Sequence, residues 1–316
     1  MNKKERISAA FAGKEVDYVP SAFWFHFSDD LFYGDKAVEA HLDFYSKTDV
    51  DLLKVMNEHL YQFDIPIKTP SDWKKLKPLP IKNSFYQDQL YIIKKISDCL
   101  GGEVPLLATI HGVFASAFHG SRLPGETIAG KNYVTNHLKE DPEAVSQGLA
   151  TVADSLTELS LACLEAGADG IYYAALGAEE CRFSEETFLK YIKPYDLQIL
   201  KTVQERCQFL VLHICKERIR LPLYADYPAD AVNWAVHDCG YTLKDGRDIF
   251  KRTILGGLDD RSGVMLYGSK KEIKQEALNL IETFGKKGFI LGSDCTLPTN
   301  IPIGNICAAI GAARSL

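Results

Sequence analysis

The sequence predicts a (β/α)8 barrel, an α/β fold in which eight parallel strands alternate with helices. Short runs of β-branched and aromatic residues alternate along the chain with longer amphipathic segments. Eight of the short runs have the length and apolar character of buried parallel strands. A length of 316 residues suits this fold, because α/β barrels of this size commonly form a single domain.

The predicted strands and helices follow one another in a regular order. In chain order, the strands are predicted at Val19–Phe25, Leu52–Met56, Pro105–Ile110, Gly170–Ala174, Phe209–Ile214, Ala231–Ala235, Thr253–Gly257 and Phe289–Gly292. The clearest helices are predicted at Pro142–Ala166, Glu185–Val203, Tyr241–Phe250 and Lys270–Phe284. Pro142–Ala166 has apolar residues at spacings of three and four, and Gly167 follows where a helix would end.

We expect residues 1–316 to form one barrel domain with two additions. The first is an N-terminal helical extension before the first strand. The second is a helical insertion near 66–101, where Asp72–Leu79 and Lys82–Leu100 resemble segments packed on the outside of the barrel.

Composition and charge limit the classes of function. The chain is 46% hydrophobic and 25% charged, which is typical of a globular protein with a large core. Its net charge of −6 argues against a nucleic-acid or anionic-membrane partner, either of which favours a basic face. No apolar run approaches the ~20 residues of a membrane span, and the apolar stretch after the basic start is too short for a signal peptide. We therefore expect a cytoplasmic protein with reduced thiols.

Three residues at predicted strand ends form a candidate zinc site. His213 and Cys215 lie two positions apart at the end of the fifth strand, so their side chains point to one face. Cys295 follows the eighth strand, and in this fold the carboxyl ends of all strands meet at the active-site rim. One imidazole and two thiolates are a zinc donor set that leaves a fourth position for substrate. The alternative is three unrelated core or rim residues.

Two carboxylates are candidate catalytic residues near this site. Glu180, with Glu179, lies in the loop after the fourth strand and is a candidate fourth zinc donor. Its alternative role is a solvated first helical turn, which the helix dipole favours. Asp259 follows the seventh strand, where a carboxylate would support a zinc ligand or a substrate.

Four further residues are predicted to bind substrate. Trp24 and His26 follow the first strand, Tyr172 lies near the end of the fourth and Asn233 near the end of the sixth. Strand alternation directs some of these side chains into a pocket. The alternative is that they are barrel core or capping residues.

The charge of the predicted donor set favours thiol chemistry. Two cysteine thiolates already neutralise Zn²⁺, so a third thiolate bound there stays electron-rich and nucleophilic. The same neutralisation makes the zinc a weaker Lewis acid toward water. The donor set therefore favours alkyl transfer to a thiol over hydrolysis.

Over essentially its whole length the chain resembles the uroporphyrinogen decarboxylase superfamily. The resemblance lies in residues 5–20, Gly167–Ile171, Ile254–Asp259 and Leu291–Pro298. The superfamily fold is a (β/α)8 barrel, which agrees with the strand count.

The segments that serve decarboxylation in this superfamily are altered here. The Arg-Gln-Ala-Gly-Arg-Tyr segment after the first strand becomes Ser21–Ser28, and no arginine occurs between Arg6 and Arg122. The Phe-Ser-Asp segment becomes Met56–His59, and Gly-His-Gly becomes Ser293–Cys295. A polycarboxylate porphyrinogen would lack its guanidinium donors, so uroporphyrinogen decarboxylation is not expected.

The zinc-dependent methyltransferase branch, typified by methylcobalamin:coenzyme M methyltransferases, matches better. These proteins carry His-x-Cys and a distant Cys in a segment ending Pro-x-x-Asn, as in His213–Cys215, Cys295 and Pro302–Asn305. The departure is Lys216, where a glycine is expected.

The resemblance implies a zinc enzyme that moves a methyl group from a methylcorrinoid to a small thiol. The corrinoid (methylcobalamin) would come on a separate corrinoid protein, since the chain has no Asp-x-His corrinoid-ligand motif. Two alternatives remain open. One is a decarboxylase of this superfamily that acts on another substrate, and the other is a non-catalytic corrinoid-related module with structural zinc.

Overall fold

The eight predicted strands all form and pair in parallel. The computed structural model describes residues 1–122 and 133–316. Its strands are β1 (Ser21–Ala22), β2 (Leu53–Val55), β3 (Leu106–His111), β4 (Gly170–Ala175), β5 (Phe209–Ile214), β6 (Ala231–Trp234), β7 (Thr253–Leu258) and β8 (Phe289–Ser293). Their order is β1-β8-β7-β6-β5-β4-β3-β2, and every ladder is parallel. This nearly closed ring confirms the predicted (β/α)8 barrel.

Helices follow most strands and cover the outside of the ring. They are α1 (Lys3–Phe11), α2 (Gly34–Thr48), α3 (Ser84–Leu100), α4 (Val113–Gly120), α5 (Tyr133–Glu140), α6 (Pro142–Glu165), α7 (Glu185–Tyr191), α8 (Lys193–Gln204), α9 (Val236–Cys239), α10 (Leu243–Phe250), α11 (Gly263–Tyr267), α12 (Lys270–Phe284) and α13 (Ile303–Ala313). Every helix in the described residues is too short or too polar to cross a membrane.

The helix predicted at Glu185–Val203 is divided in two. The break falls at Ile192, between α7 and α8, and Pro194 lies in the first turn of α8. Proline lacks the backbone N–H that an uninterrupted helix would need at that position, so it is tolerated only where a helix begins.

The segment near 66–101, predicted as a helical insertion, lies between β2 and β3. Its main helix, α3, is the connection between β2 and β3, so it belongs to the barrel itself. One face of α3 is fully buried, including Tyr86, Ile92, Ile93 and Ile96. A helix with such a face between two consecutive strands is the ordinary covering helix of a barrel unit. The N-terminal extension is α1, which packs its Phe11 ring edge-on at 5.3 Å against Phe209 at the base of β5.

The core has two layers because side chains alternate along each strand. Outward residues such as Ile171 and Leu210 join the apolar layer between strands and helices. Inward residues such as Tyr172 and Val211 fill the interior of the ring. Polar side chains that point inward near the carboxyl ends of the strands therefore meet in the barrel mouth.

The seam between β1 and β2 is closed by Asp51 and not by a strand ladder. The backbone N–H of Asp51 donates to the Ser21 carbonyl at 3.0 Å, and the Asp51 carboxylate accepts from the Ser21 N–H at 3.0 Å. The same carboxylate accepts from the Arg6 guanidinium and the Tyr18 hydroxyl, both at 3.0 Å. Asp51 is fully buried, so one side chain joins α1, β1 and β2.

Replacing Asp51 by alanine is expected to lower the free energy of unfolding by about 3–5 kcal/mol, because it removes the buried acceptor of one Arg6 N–H, the Tyr18 hydroxyl and the Ser21 N–H. Arg6 then keeps its pairing with Asp17. Urea unfolding followed by circular dichroism measures this change. Asp43→Ala is the control, since Asp43 is exposed and pairs with exposed Lys47, and it is expected to cost less than about 0.5 kcal/mol. Equal losses in the two variants would contradict a role for Asp51 in closing the ring.

Candidate metal site and substrate pocket

The structure brings His213, Cys215 and Cys295 together at the barrel mouth. His213 lies on β5, Cys215 follows β5, and Cys295 follows β8. His213 Nε2 is 3.3 Å from the Cys295 sulfur, which is 3.5 Å from the Cys215 sulfur. The three donor atoms lie within 4.8 Å of one another, close enough to hold one metal ion. Zinc binding by this trio stays a prediction, and its geometry fits that prediction.

Asn233 fixes the imidazole of His213. Its side-chain N–H groups donate to the carbonyls of Leu255 and Ser293, at 2.9 and 3.0 Å. These two bonds determine the amide orientation, so Oδ1 must face His213 Nδ1, 2.6 Å away. Oδ1 is an acceptor, so Nδ1 carries the proton and Nε2 presents its lone pair to the two sulfurs. This is the tautomer that a metal ligand requires.

Tyr172 stacks on the face of the same imidazole. Its ring stacks on His213 with centroids 5.3 Å apart, and its hydroxyl donates to Asn233 Oδ1 at 3.1 Å. Tyr172 lines the pocket, whereas Asn233 is fully buried behind His213. Of these two predicted substrate-binding residues, Asn233 is placed to orient a metal ligand.

The hydrogen bond between the two thiols makes their acidities unequal. This hydrogen bond from Cys215 holds the pKa of Cys295 well below its ordinary value, against the opposing effect of burial. The same hydrogen bond, with burial next, raises the pKa of Cys215 well above its ordinary value. A divalent cation removes this difference, because it stabilises both cysteines as thiolates.

The structure places neither predicted catalytic carboxylate at the pocket. Glu180 is exposed and pairs with the Arg218 guanidinium at 2.7 Å. Asp259 accepts hydrogen bonds from the backbone N–H groups of Arg261 and Ser262, at 2.8 and 2.9 Å, so it caps the turn after β7. These hydrogen bonds, and that from the Ser262 hydroxyl, outweigh burial and lower the pKa of Asp259.

Asp260, one residue later, is the carboxylate that lines the pocket. It is 6% exposed. Burial, with the nearby charges of Cys295 and Asp294 next, raises its pKa to about 7. Sequence reasoning missed Asp260 by one position, because the direction of the side chain depends on where β7 ends.

The pocket above the trio has a volume of about 590 Å³, which suits a small ligand. Its walls carry several titratable or charged side chains besides the trio, namely His26, Lys54, Glu58, His111, His119, Lys216, Asp260 and Arg261. His26 lies at the mouth as predicted, with Nδ1 3.0 Å from a Glu58 oxygen. Trp24 is instead buried in the barrel interior, edge-on to Tyr172 at 5.0 Å.

Lys216, which replaces an expected glycine, retains a backbone that favours glycine. Its φ is 90°, a value at which a Cβ atom is strained. Lys216 also lines the pocket. Lys216 therefore holds a left-handed backbone in the turn after Cys215 and adds a cation at the pocket wall.

Lys54 is a second pocket residue that sequence reasoning missed. It lies on β2 within the apolar run Leu52–Met56 and is 4% exposed. The available signal was alternation, since a lysine that shares the inward face of Leu52 and Met56 must enter the barrel interior.

Comparison with known proteins identifies relatives across most of the chain. The family described as Uroporphyrinogen decarboxylase (URO-D) matches residues 35–316. A methylcobamide:CoM methyltransferase from Methanosarcina acetivorans is 23% identical over 249 residues, which is 79% of this chain and 69% of the relative. A uroporphyrinogen decarboxylase from Synechococcus sp. is 25% identical over 251 residues, or 77% of this chain and 65% of the relative.

Solved structures share the fold. A methyltransferase from Methanosarcina mazei superposes with a TM-score of 0.78 and 18% identity, covering 100% of this chain and 99% of that one. A B12-independent methionine synthase from Shewanella sp. gives a TM-score of 0.61 and 10% identity, covering 94% and 97%. At these identities the likeness establishes the barrel fold alone.

Proposed function

Because the chain belongs to the uroporphyrinogen decarboxylase family, we propose that it is a zinc-dependent methyltransferase of that family. It would transfer a methyl group from a methylcorrinoid, carried by a partner corrinoid protein in the cytoplasm, to a small thiol. The similarity to a methylcobamide:CoM methyltransferase supports this activity. The observation that carries the proposal is the clustering of the His213, Cys215 and Cys295 donor atoms within 4.8 Å at the barrel mouth.

The chain's own residues prepare this site in three ways. Asn233 and Tyr172 hold His213 with Nε2 free, and β5 and β8 bring the two sulfurs to the same point. The pocket above the trio gives a small thiol access to them. Zinc, when bound there, would hold the acceptor sulfur as a thiolate at neutral pH.

The proposed transfer needs no oxidant or reductant. The acceptor thiol gives its proton to solvent, and its sulfur forms a bond to the methyl carbon. The cobalt–carbon bond breaks, and its electron pair remains on the corrinoid. The pocket residues contribute by positioning the acceptor in line with the methyl group.

Similarity to a uroporphyrinogen decarboxylase keeps a decarboxylase as the second candidate. Among the described residues that line the pocket, Arg261 is the only arginine, and it already pairs with Asp238 and Asp260. A substrate with many carboxylates therefore lacks matching donors, so this candidate requires a smaller acid.

Two measurements test the proposal. Protein purified without chelators is expected to contain one zinc per chain, and to move the methyl group of free methylcobalamin to 3-mercaptopropionate. Zinc without methyl transfer would favour the non-catalytic module with structural zinc. Protein without stoichiometric zinc, and with carbon dioxide released from a small acid, would favour the decarboxylase.

A further inference from the structure

Lys54 places a buried cation at the floor of the pocket. Its ammonium lies 4.5 Å from the Tyr172 ring centroid and 5.1 Å from that of Trp24. Its hydrogen-bond partner is the Met56 sulfur at 3.1 Å, which is a weak acceptor. No carboxylate in residues 1–122 and 133–316 forms an ion pair with it.

Such a group is costly unless something compensates its charge. Removing an ammonium from water is unfavourable, and two aromatic rings offset only part of the loss. Burial lowers the pKa of Lys54 to about 8, which leaves it mainly charged at neutral pH. A methionine would fill the same space without this penalty, so packing does not explain the lysine.

The ammonium is also close to the proposed reaction centre. Its nitrogen is 4.5 Å from the Tyr172 ring, and that ring is 5.3 Å from the imidazole of His213. The two groups are therefore within about 10 Å of each other. Because Lys54 and the trio line the same pocket, a small molecule bound there is placed to contact both.

Lys54 is the buried cation of the pocket, whereas Lys216 is exposed. The negative groups Cys295 and Glu58 oppose the effect of burial on the pKa of Lys54, but neither forms an ion pair with it among the described residues. Glu58 is engaged by His26, and Arg261 is engaged by Asp238 and Asp260. Lys216 carries a second cation in the pocket lining.

We propose that Lys54 binds an acidic group, a carboxylate or a sulfonate, of the small substrate that enters this pocket. It thereby determines a preference for acidic over neutral substrates. The assignment of that substrate as a methyl acceptor rests on the proposed function, whereas the binding of the acid by Lys54 does not.

Calorimetric titration with thiol-free probes tests this assignment, both with and without added zinc. Propionate and ethanesulfonate are expected to bind the wild-type protein at least about tenfold more tightly than propanamide. Stronger binding of one of the two acids identifies the acidic group. Equal binding of the acids and the amide would overturn the proposal without any need for a variant.

Substitutions assign the binding to this residue. Lys54→Met is expected to weaken acid binding about tenfold to a hundredfold and to leave propanamide unchanged, because it removes a charge-assisted hydrogen bond. Lys54→Arg keeps the charge and is expected to retain part of the binding. Lys201→Met, at an exposed position on α8, is the control for a general loss of positive charge. Unchanged acid binding in folded Lys54→Met would refute the assignment.

The outcomes separate the two proposals. Acid binding that depends on Lys54, in a protein that transfers no methyl group, would leave the anion site intact and refute the methyltransferase. Methyl transfer with equal kcat/KM for 3-mercaptopropionate and 2-mercaptoethanol would support the methyltransferase and refute the anion site at Lys54.

Discussion

Replacing Cys215 by serine is expected to abolish stoichiometric zinc binding and, with it, methyl transfer. A serine hydroxyl does not ionise near neutral pH, so the site would keep only His213 and Cys295 as strong donors. Because each donor contributes to a binding free energy of order 10 kcal/mol, zinc affinity should fall by roughly a thousandfold or more. Elemental analysis and a competition titration with a chromophoric chelator measure the two quantities.

Cys181→Ser is the matched control for this experiment. Cys181 is exposed in the loop after β4, outside the trio, so its replacement should leave zinc content and activity unchanged. A Cys215→Ser protein that retains one zinc per chain and full methyl transfer would refute the proposed function. A variant that loses zinc but remains folded supports an open catalytic site over a structural one.

Replacing Asn233 by aspartate is expected to produce the largest loss of stability among substitutions near the site. The change puts a carboxylate oxygen where an N–H group now faces the Leu255 and Ser293 carbonyls, at 2.9 and 3.0 Å. Two buried carbonyls lose their donor and meet an acceptor. The free energy of unfolding should fall by about 3 kcal/mol or more.

The same variant separates the contribution of Asn233 to the stability of the fold from its contribution to zinc binding. Aspartate still accepts the His213 Nδ1 proton, as carboxylates commonly do behind zinc-binding histidines, so a folded Asn233→Asp protein should retain zinc with less than about a tenfold loss of affinity. Asn279→Asp, on the exposed face of α12, is the control for the charge change. Stability equal to wild type in Asn233→Asp would show that the amide orientation inferred for Asn233 is wrong.

The barrel was predictable because its strands are short apolar runs with recognisable ends. Phe209–Ile214 was predicted to the residue, since parallel strands buried on both faces leave continuous apolar segments. The proximity of Cys295 to His213 followed from strand-end geometry alone, although 82 residues separate them.

Features that depend on exact side-chain direction were not predictable in the same way. Asp259 and Asp260 are adjacent residues of the same type. The position at which β7 ends determines which of the two side chains points into the pocket. The support that Asn233 gives to His213 requires β5, β6, β7 and β8 to meet around one amide. That arrangement exists only in the closed barrel. The pairing of Glu180 with Arg218 likewise depends on how two loops fold beside each other.

The seam at Asp51 leaves the strands of the barrel unequally paired. β5 and β8, which position the trio, have ladders on both sides, whereas β2 has a ladder only with β3. β2 also carries Lys54, so the acid-binding end of the pocket, unlike the trio, depends on the contacts that Asp51 makes across the seam.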